Sequence, residues 1–136
     1  MILFQGLYHI GIYTTDIERS LSFYTQMLDF NLKWRGMVDH PAMGKIKVAL
    51  VEQQNCTIEL VQPNDAALVN EKAGPIQHLA LKVESIDKVM ERWKSKKITE
   101  FPLGEIEDLP SFGKGIRHTF IYGPSHERIE LVEEYT

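Results

Sequence analysis

The chain has 136 residues, 43% of them hydrophobic and 25% charged, with a formal net charge of −4. This length and balance fit one soluble globular domain that buries a core without staples. A lone cysteine, Cys56, excludes an intrachain disulfide, the lack of a basic stripe argues against nucleic acid as partner, and no apolar run reaches the length of a membrane span. The densest basic stretch, Lys94-Ser95-Lys96-Lys97, closes an expected helix, where cations suit the helix dipole. The opening Met1-Ile2-Leu3-Phe4-Gln5 is too short for a signal peptide and has no basic start. A reducing cytoplasm is the expected location.

In chain order, residues 7–13 read as a strand rich in aromatic and β-branched residues. Asp16 is the expected N-cap of a helix whose apolar stripe is Ile17, Leu21, Tyr24 and Leu28. Strands are expected at residues 30–36, 45–51 and 56–61. A linker over residues 63–75 follows, with one helical turn at residues 65–70 and a Gly74-Pro75 turn. Residues 76–83 read as a second strand of the first kind. Ser85 is the next N-cap, and Ile86, Val89, Met90 and Trp93 make the second stripe. A weak strand at 99–106 and strands at 116–122 and 128–133 complete the pattern, with Gly123-Pro124 turning into the last. The order βαβββ therefore occurs twice, in modules 7–62 and 76–134 of a single α+β domain spanning 1–136. Two half-sheets with helices on one face leave the other face to form a cleft.

Strand alternation sorts the side chains between those faces. Tyr8, Ile10 and Ile12 are expected on the helix side and His9 opposite. Ile58 and Leu60 are expected on the helix side and Glu59 opposite. The second module repeats this, with Gln77, Leu79, Leu81 and Val83 on the helix side against His78, and Ile129 and Leu131 against Glu130. Two imidazoles and two carboxylates thus occupy matched positions on the face away from the helices. A carboxylate between Ile and Leu in a strand is costly unless paired or bound. This mixed N/O set suits one borderline divalent ion, so His9, Glu59, His78 and Glu130 are the expected metal ligands. His40 and His126 are expected in exposed loops. His118 lies in a strand, where it either lines the cleft or serves structure alone. Cys56 shares the phase of Ile58 and reads as a small core residue.

The pieces Tyr8-His9-Ile10-Gly11-Ile12, Ser22-Phe23-Tyr24, Thr57-Ile58-Glu59-Leu60, Ile76-Gln77-His78-Leu79-Ala80 and Arg128-Ile129-Glu130-Leu131-Val132-Glu133 resemble the vicinal oxygen chelate superfamily. Its members include glyoxalase I, methylmalonyl-CoA epimerase, extradiol dioxygenases and the fosfomycin and bleomycin resistance proteins. The resemblance runs from Leu7 to Glu134. It implies paired βαβββ modules around a metal-lined cleft, often completed by a homodimer. It places the ligand role on His9, Glu59, His78 and Glu130, a set similar to that of bacterial glyoxalase I. The implied cofactor is one divalent ion per site: nickel, cobalt or zinc first, manganese or iron after them. Tyr13 stands where glyoxalase I has a glutathione-binding arginine, and Pro63 where it has an asparagine. Met43 stands where the epimerases carry a catalytic glutamate.

The function this implies is a glyoxalase I-like lyase or isomerase that transfers a proton next to a carbonyl of a small substrate through a metal-bound enediolate. An epimerase, or a resistance-type protein that binds a small molecule without turnover, is the alternative. Glu130 is the first candidate for the base and Glu59 the second. The segment 108–115, with Gly113, Gly115 and Phe112, is either a lid or an ordinary loop. Arg35, Lys114 and Arg117 are candidates to meet an anion, with surface charge as the plainer reading.

Overall fold

The computed structural model describes residues 3, 5–70 and 75–136. The chain divides into two compact units, Met1–Asn70 and Glu71–Thr136. The expected Gly74-Pro75 turn and part of the 63–75 linker fall outside the described residues, and so do Met1, Ile2 and Phe4.

The first unit contains β1 (Ile10–Tyr13), α1 (Ile17–Ser22), β2 (Asn31–His40), β3 (Gly44–Gln53) and β4 (Cys56–Gln62). The sheet order is β1-β4-β3-β2. β1 lies parallel to β4, and the other pairs are antiparallel. Asp16 caps α1 as expected, its carboxylate accepting from the Arg19 backbone N–H at 3.1 Å. The helix then widens into a π-helical segment, Phe23–Met27. Ile17, Tyr24, Val51, Ile58 and Leu60 are all buried, in keeping with the expected helix-side phase of Ile58 and Leu60. A 3₁₀ turn at Ala66–Leu68, capped by Asp65, fills the helical turn expected after β4.

The second unit repeats the plan with β5 (Leu79–Lys82), α2 (Ile86–Ser95), β6 (Glu107–Leu109), β7 (Ile116–Tyr122) and β8 (Arg128–Glu134). Its sheet order is β5-β8-β7-β6, again with one parallel pair, β5 with β8. Ser85 caps α2 through the Lys88 N–H. Ile86, Ile121, Ile129 and Leu131 form the buried set. The repetition extends to single hydrogen bonds. Thr14 N–H donates to Val61 O and Val83 N–H to Val132 O, each at 2.9 Å. The first helical N–H finds a side chain at the end of the fourth strand in both units: Ile17 N–H donates to Gln62 Oε1 at 2.9 Å and Ile86 N–H to Glu133 Oε1 at 2.7 Å. Those N–H groups have no partner within their helices, so each contact ties a helix onto the strand carrying a candidate ligand. The observed α+β class is the expected one.

Three expectations are corrected. The strand does not occupy 99–106: pairing begins at Glu107, and that segment is held through Gly104, whose N–H donates to Phe120 O and whose carbonyl accepts from Thr119 Oγ1. Tyr8 is 89% exposed and does not pack on a helix, because ladder pairing starts only at Ile10 with Ile58. His40 is not in an exposed loop. It ends β2 and is partly buried, and its Nδ1 accepts from the N–H groups of Ala42 and Met43.

Candidate metal centre

The register of the first sheet builds a row Trp34–Leu50–Glu59–Gly11 and, one step along, a row Gly36–Val48–Val61–Tyr13. Directly paired residues share a face, so Glu59 lies among apolar neighbours on the side opposite Ile58 and Leu60. Gly11 leaves room beside it: a Cβ there would stand 3.7 Å from Glu59 Oε1. His9, just before β1, turns its Nε2 toward Glu59 Oε1 at 3.4 Å. The other ring nitrogen, Nδ1, is buried without a hydrogen-bond partner among the described residues. The polar engagement of the ring is therefore through Nε2 alone. Beyond this pair Ile46, Val48 and Val61 form a buried apolar cluster backed by Val38 and Met43. Tyr13 donates its hydroxyl to Met43 Sδ at 3.8 Å.

The second sheet builds the corresponding rows Phe120–Glu130–Ala80 and His118–Val132–Lys82, with Glu107 beside His118. His78, just before β5, sets its Nε2 3.3 Å from Glu130 Oε1. Its Nδ1 lies 2.5 Å from Gln77 Oε1. An amide oxygen only accepts, so Nδ1 carries the hydrogen of that contact. His118 adds a contact with no counterpart among the described residues of the first unit: its Nδ1 is 2.6 Å from Glu130 Oε2, and its Nε2 is 3.6 Å from Glu107 Oε1. Phe120 meets both imidazoles edge-on, with centroids 5.8 Å from His78 and 5.3 Å from His118, and the Arg128 guanidinium lies 3.7 Å over its ring.

The four expected ligands thus occur as two matched imidazole–carboxylate pairs, one in each unit. Among the described residues, no three or more His, Cys, Asp or Glu side chains gather into one metal-holding group. The pairs themselves fit a divalent ion. Charge-assisted N–H···O bonds run about 2.7–2.9 Å, shorter than the observed 3.4 and 3.3 Å. Two donors bound at about 2.0–2.2 Å to one ion, at bond angles between square and tetrahedral, lie about 2.8–3.6 Å apart. The His78 Nδ1–H donated to Gln77 is the kind of outer contact that fixes the tautomer of a ligating histidine.

The remaining candidates are engaged elsewhere. Arg35 forks onto Glu18 of α1, and the Glu18 carboxylate is held below its usual range by that hydrogen bond. Arg117 sits among Asp87, Asp108 and Glu133 at 3.6–3.9 Å. The segment 108–115 is pinned at both ends by Tyr135, which donates its hydroxyl to Asp108 Oδ1 at 3.0 Å and its N–H to Gly115 O at 2.9 Å. Within it, Phe112 is exposed. His126 sits in the turn after β7 at φ 63°. Cys56 is half-buried, and burial pushes its thiol up, which suits a packing role. Sequence reasoning left the role of His118 open and did not single out Gln77 as a hydrogen-bond partner or Arg128. Alternation held the signal for His118: Thr119 and Ile121 are buried, which puts His118 and Phe120 on the opposite face with Glu130.

Comparison with known proteins agrees with this architecture. Residues 8–120 match the family described as Glyoxalase/Bleomycin resistance protein/Dioxygenase superfamily. The Bacillus subtilis (strain 168) protein YwkD is 31% identical over 136 residues, covering 98% of this chain and 100% of its own. Among solved structures, the trypanothione-dependent glyoxalase I of Leishmania major is 21% identical with a TM-score of 0.70, over 96% of this chain and 87% of its own. TnmS3, an antibiotic binding protein from Streptomyces sp. CB03234, is 15% identical with a TM-score of 0.70, over 99% of this chain and 100% of its own. At those identities the two structures speak for the fold alone. With the doubled βαβββ plan and a family match over most of its length, the chain belongs to the glyoxalase/bleomycin resistance protein/dioxygenase superfamily.

Proposed function

We propose that the chain is a metal-dependent lyase or isomerase of the glyoxalase I type, moving a proton on the carbon next to a carbonyl of a small substrate. The observation that supports this reading is the repeated pair, His9 Nε2 with Glu59 Oε1 and His78 Nε2 with Glu130 Oε1, at 3.4 and 3.3 Å. His9, Glu59, His78 and Glu130 would be the ligands for a divalent ion, with nickel, cobalt or zinc suiting the N/O donor set. The ion would supply Lewis acidity to a carbonyl and its neighbouring oxygen.

The chain's own contribution is a base and a wall. Glu59 and Glu130 are the two candidate bases, and the geometry favours Glu59 for the mobile role. Its side chain is 30% exposed and meets a single imidazole, whereas the Glu130 side chain is 14% exposed and meets two. Glu59 takes the proton from the substrate carbon and returns it to the neighbouring carbon for isomerisation; epimerisation would need a second group to deliver a proton to the opposite face. The side chains of Trp34, Leu50, Val48 and Val61 flank Glu59 on its face of the sheet and give that carboxylate an apolar wall. Tyr13 and Pro63 supply neither the arginine nor the asparagine of glutathione binding, which favours a small 2-hydroxy carbonyl substrate over a hemithioacetal of that carrier. A second copy of the chain as partner and a cytoplasmic setting complete the proposal.

The test is deuterium exchange from solvent into a panel of 2-hydroxy aldehydes and ketones, followed by NMR with nickel- or cobalt-loaded protein. Exchange is expected with the loaded protein, strongly reduced by Glu59→Gln with metal retained, and lost together with metal in Glu130→Gln. Full exchange in metal-loaded Glu59→Gln refutes the base role. A second reading, capture of a small apolar molecule without turnover, is favoured by the Ile46–Val48–Val61 cluster and by Met43 in place of an acid. Tight binding of apolar ligands by metal-free protein would select it.

A further inference from the structure

The two carboxylates of the repeated pairs do not have equivalent surroundings. In the first sheet, the position diagonal to Glu59 on β3 is Val48, which pairs with Val61, and the strand beyond carries Gly36. In the second sheet, the corresponding positions are His118, which pairs with Val132, and Glu107. An apolar side chain and a glycine are thus replaced by an imidazole and a carboxylate at one module only. The His118 side chain is 12% exposed and its Nδ1 lies 2.6 Å from Glu130 Oε2. A carboxylate can only accept, so the hydrogen is on Nδ1 and His118 is the donor. The opposite nitrogen faces Glu107 Oε1 at 3.6 Å, and Phe120 abuts the ring edge-on, so the imidazole is fixed on three sides.

We infer that His118 is a positioning residue: by holding Glu130 Oε2, it leaves Glu130 Oε1 turned toward His78 Nε2 as a single, fixed donor. This rests on the ligand role proposed above for Glu130. A carboxylate with both oxygens free rotates and alternates between one- and two-oxygen binding. One with an oxygen occupied by a short hydrogen bond does not, and the entropy of fixing it is already spent before an ion arrives. Among the described residues, Glu59 has no such holder and meets only the His9 ring. The internal repeat thus supplies two ligand pairs of the same geometry and different stiffness.

The test uses the full chain and Co(II) alone as the probe. His118→Phe keeps the ring and removes the donor; His118→Asn keeps an N–H close to the place of Nδ1. Co(II) affinity is expected to fall about 10- to 100-fold in His118→Phe and to return to within a few-fold of wild type in His118→Asn. The visible Co(II) absorption band is expected to shift in the first variant and not in the second, with circular dichroism confirming that both are folded. Should His118→Phe fail to fold, long-range ¹H–¹⁵N correlation of the wild-type histidines decides: His118 Nδ1 is expected to carry hydrogen. Wild-type Co(II) affinity in His118→Phe, or a bare Nδ1, overturns the positioning role while leaving the metal site standing. Failure of the wild-type protein to bind Co(II) overturns both.

Discussion

Gly115 tests the claim that the segment after β6 is fastened and not a free flap. It lies at φ 104°, and a Cβ built on it would stand 2.2 Å from Tyr135 Cδ2, 2.6 Å from Cε2 and 3.0 Å from Cγ. Gly115→Ala therefore brings two separate penalties. An L-residue held at that φ costs about 1–3 kcal/mol. The overlap forces Tyr135 to swing away, giving up its hydroxyl bond to Asp108, for about another 0.5–1.5 kcal/mol. The sum, about 1.5–4.5 kcal/mol, is a large part of the stability of a domain this size. With a urea m-value of about 2 kcal/mol/M, the unfolding midpoint moves down by roughly 0.7–2.3 M. In Tyr135→Ala, adding Gly115→Ala removes no ring contact and should cost the backbone part only. A double-mutant cycle read by urea titration thus separates the two. A Gly115→Ala protein as stable as wild type would falsify the packing of Tyr135 over Gly115, and with it the fastened segment.

Leu60 and Leu32 lie in the same sheet with opposite surroundings, fully buried and 47% exposed. Leu60→Ala is expected to cost about 2–5 kcal/mol through transfer and cavity terms and Leu32→Ala much less; equal costs in chemical denaturation contradict the assignment of the helix-side core. Arg35 holds the Glu18 carboxylate below its usual range. The pair thus stabilises the fold at pH values above the ordinary carboxylate range, and that contribution disappears as pH falls through the lowered value. The difference in stability between wild type and Glu18→Gln is expected to be small, since both groups are exposed, and to shrink in acid titrations. A difference that grows toward low pH refutes the pairing.

Much of the site was legible because its signals are local. Asp16 and Ser85 announce helix starts through side chains that accept the orphan N–H groups of the first turn. Ile58-Glu59-Leu60 and Ile129-Glu130-Leu131 announce a strand with one polar face through strict alternation. What escaped the sequence depends on pairing between segments. Tyr8 has the composition of a strand residue, but the ladder starts only at Ile10, so it stays exposed. The weak strand at 99–106 failed because β7 pairs from Ile116 to His118 with residues 107–109, a choice of register that no single segment contains. His118 meets Glu130 diagonally across β7 and β8. That contact follows from a register pairing Phe120 with Glu130, which composition does not encode. His40 seemed a loop residue because Pro41 follows it, yet β2 runs up to it and uses its ring to close the turn.

The measurement closest to the central claim is metal content and affinity across the four proposed ligands. Wild-type protein, stripped with chelator, dialysed against Ni(II) or Co(II) and analysed by inductively coupled plasma mass spectrometry, is expected to hold about one ion per chain. His9→Ala and His78→Ala, each removing the imidazole of one pair, are both expected to release most of that metal. Stoichiometric metal retained with unchanged affinity in both variants would contradict the account, since neither pair would then be holding the ion.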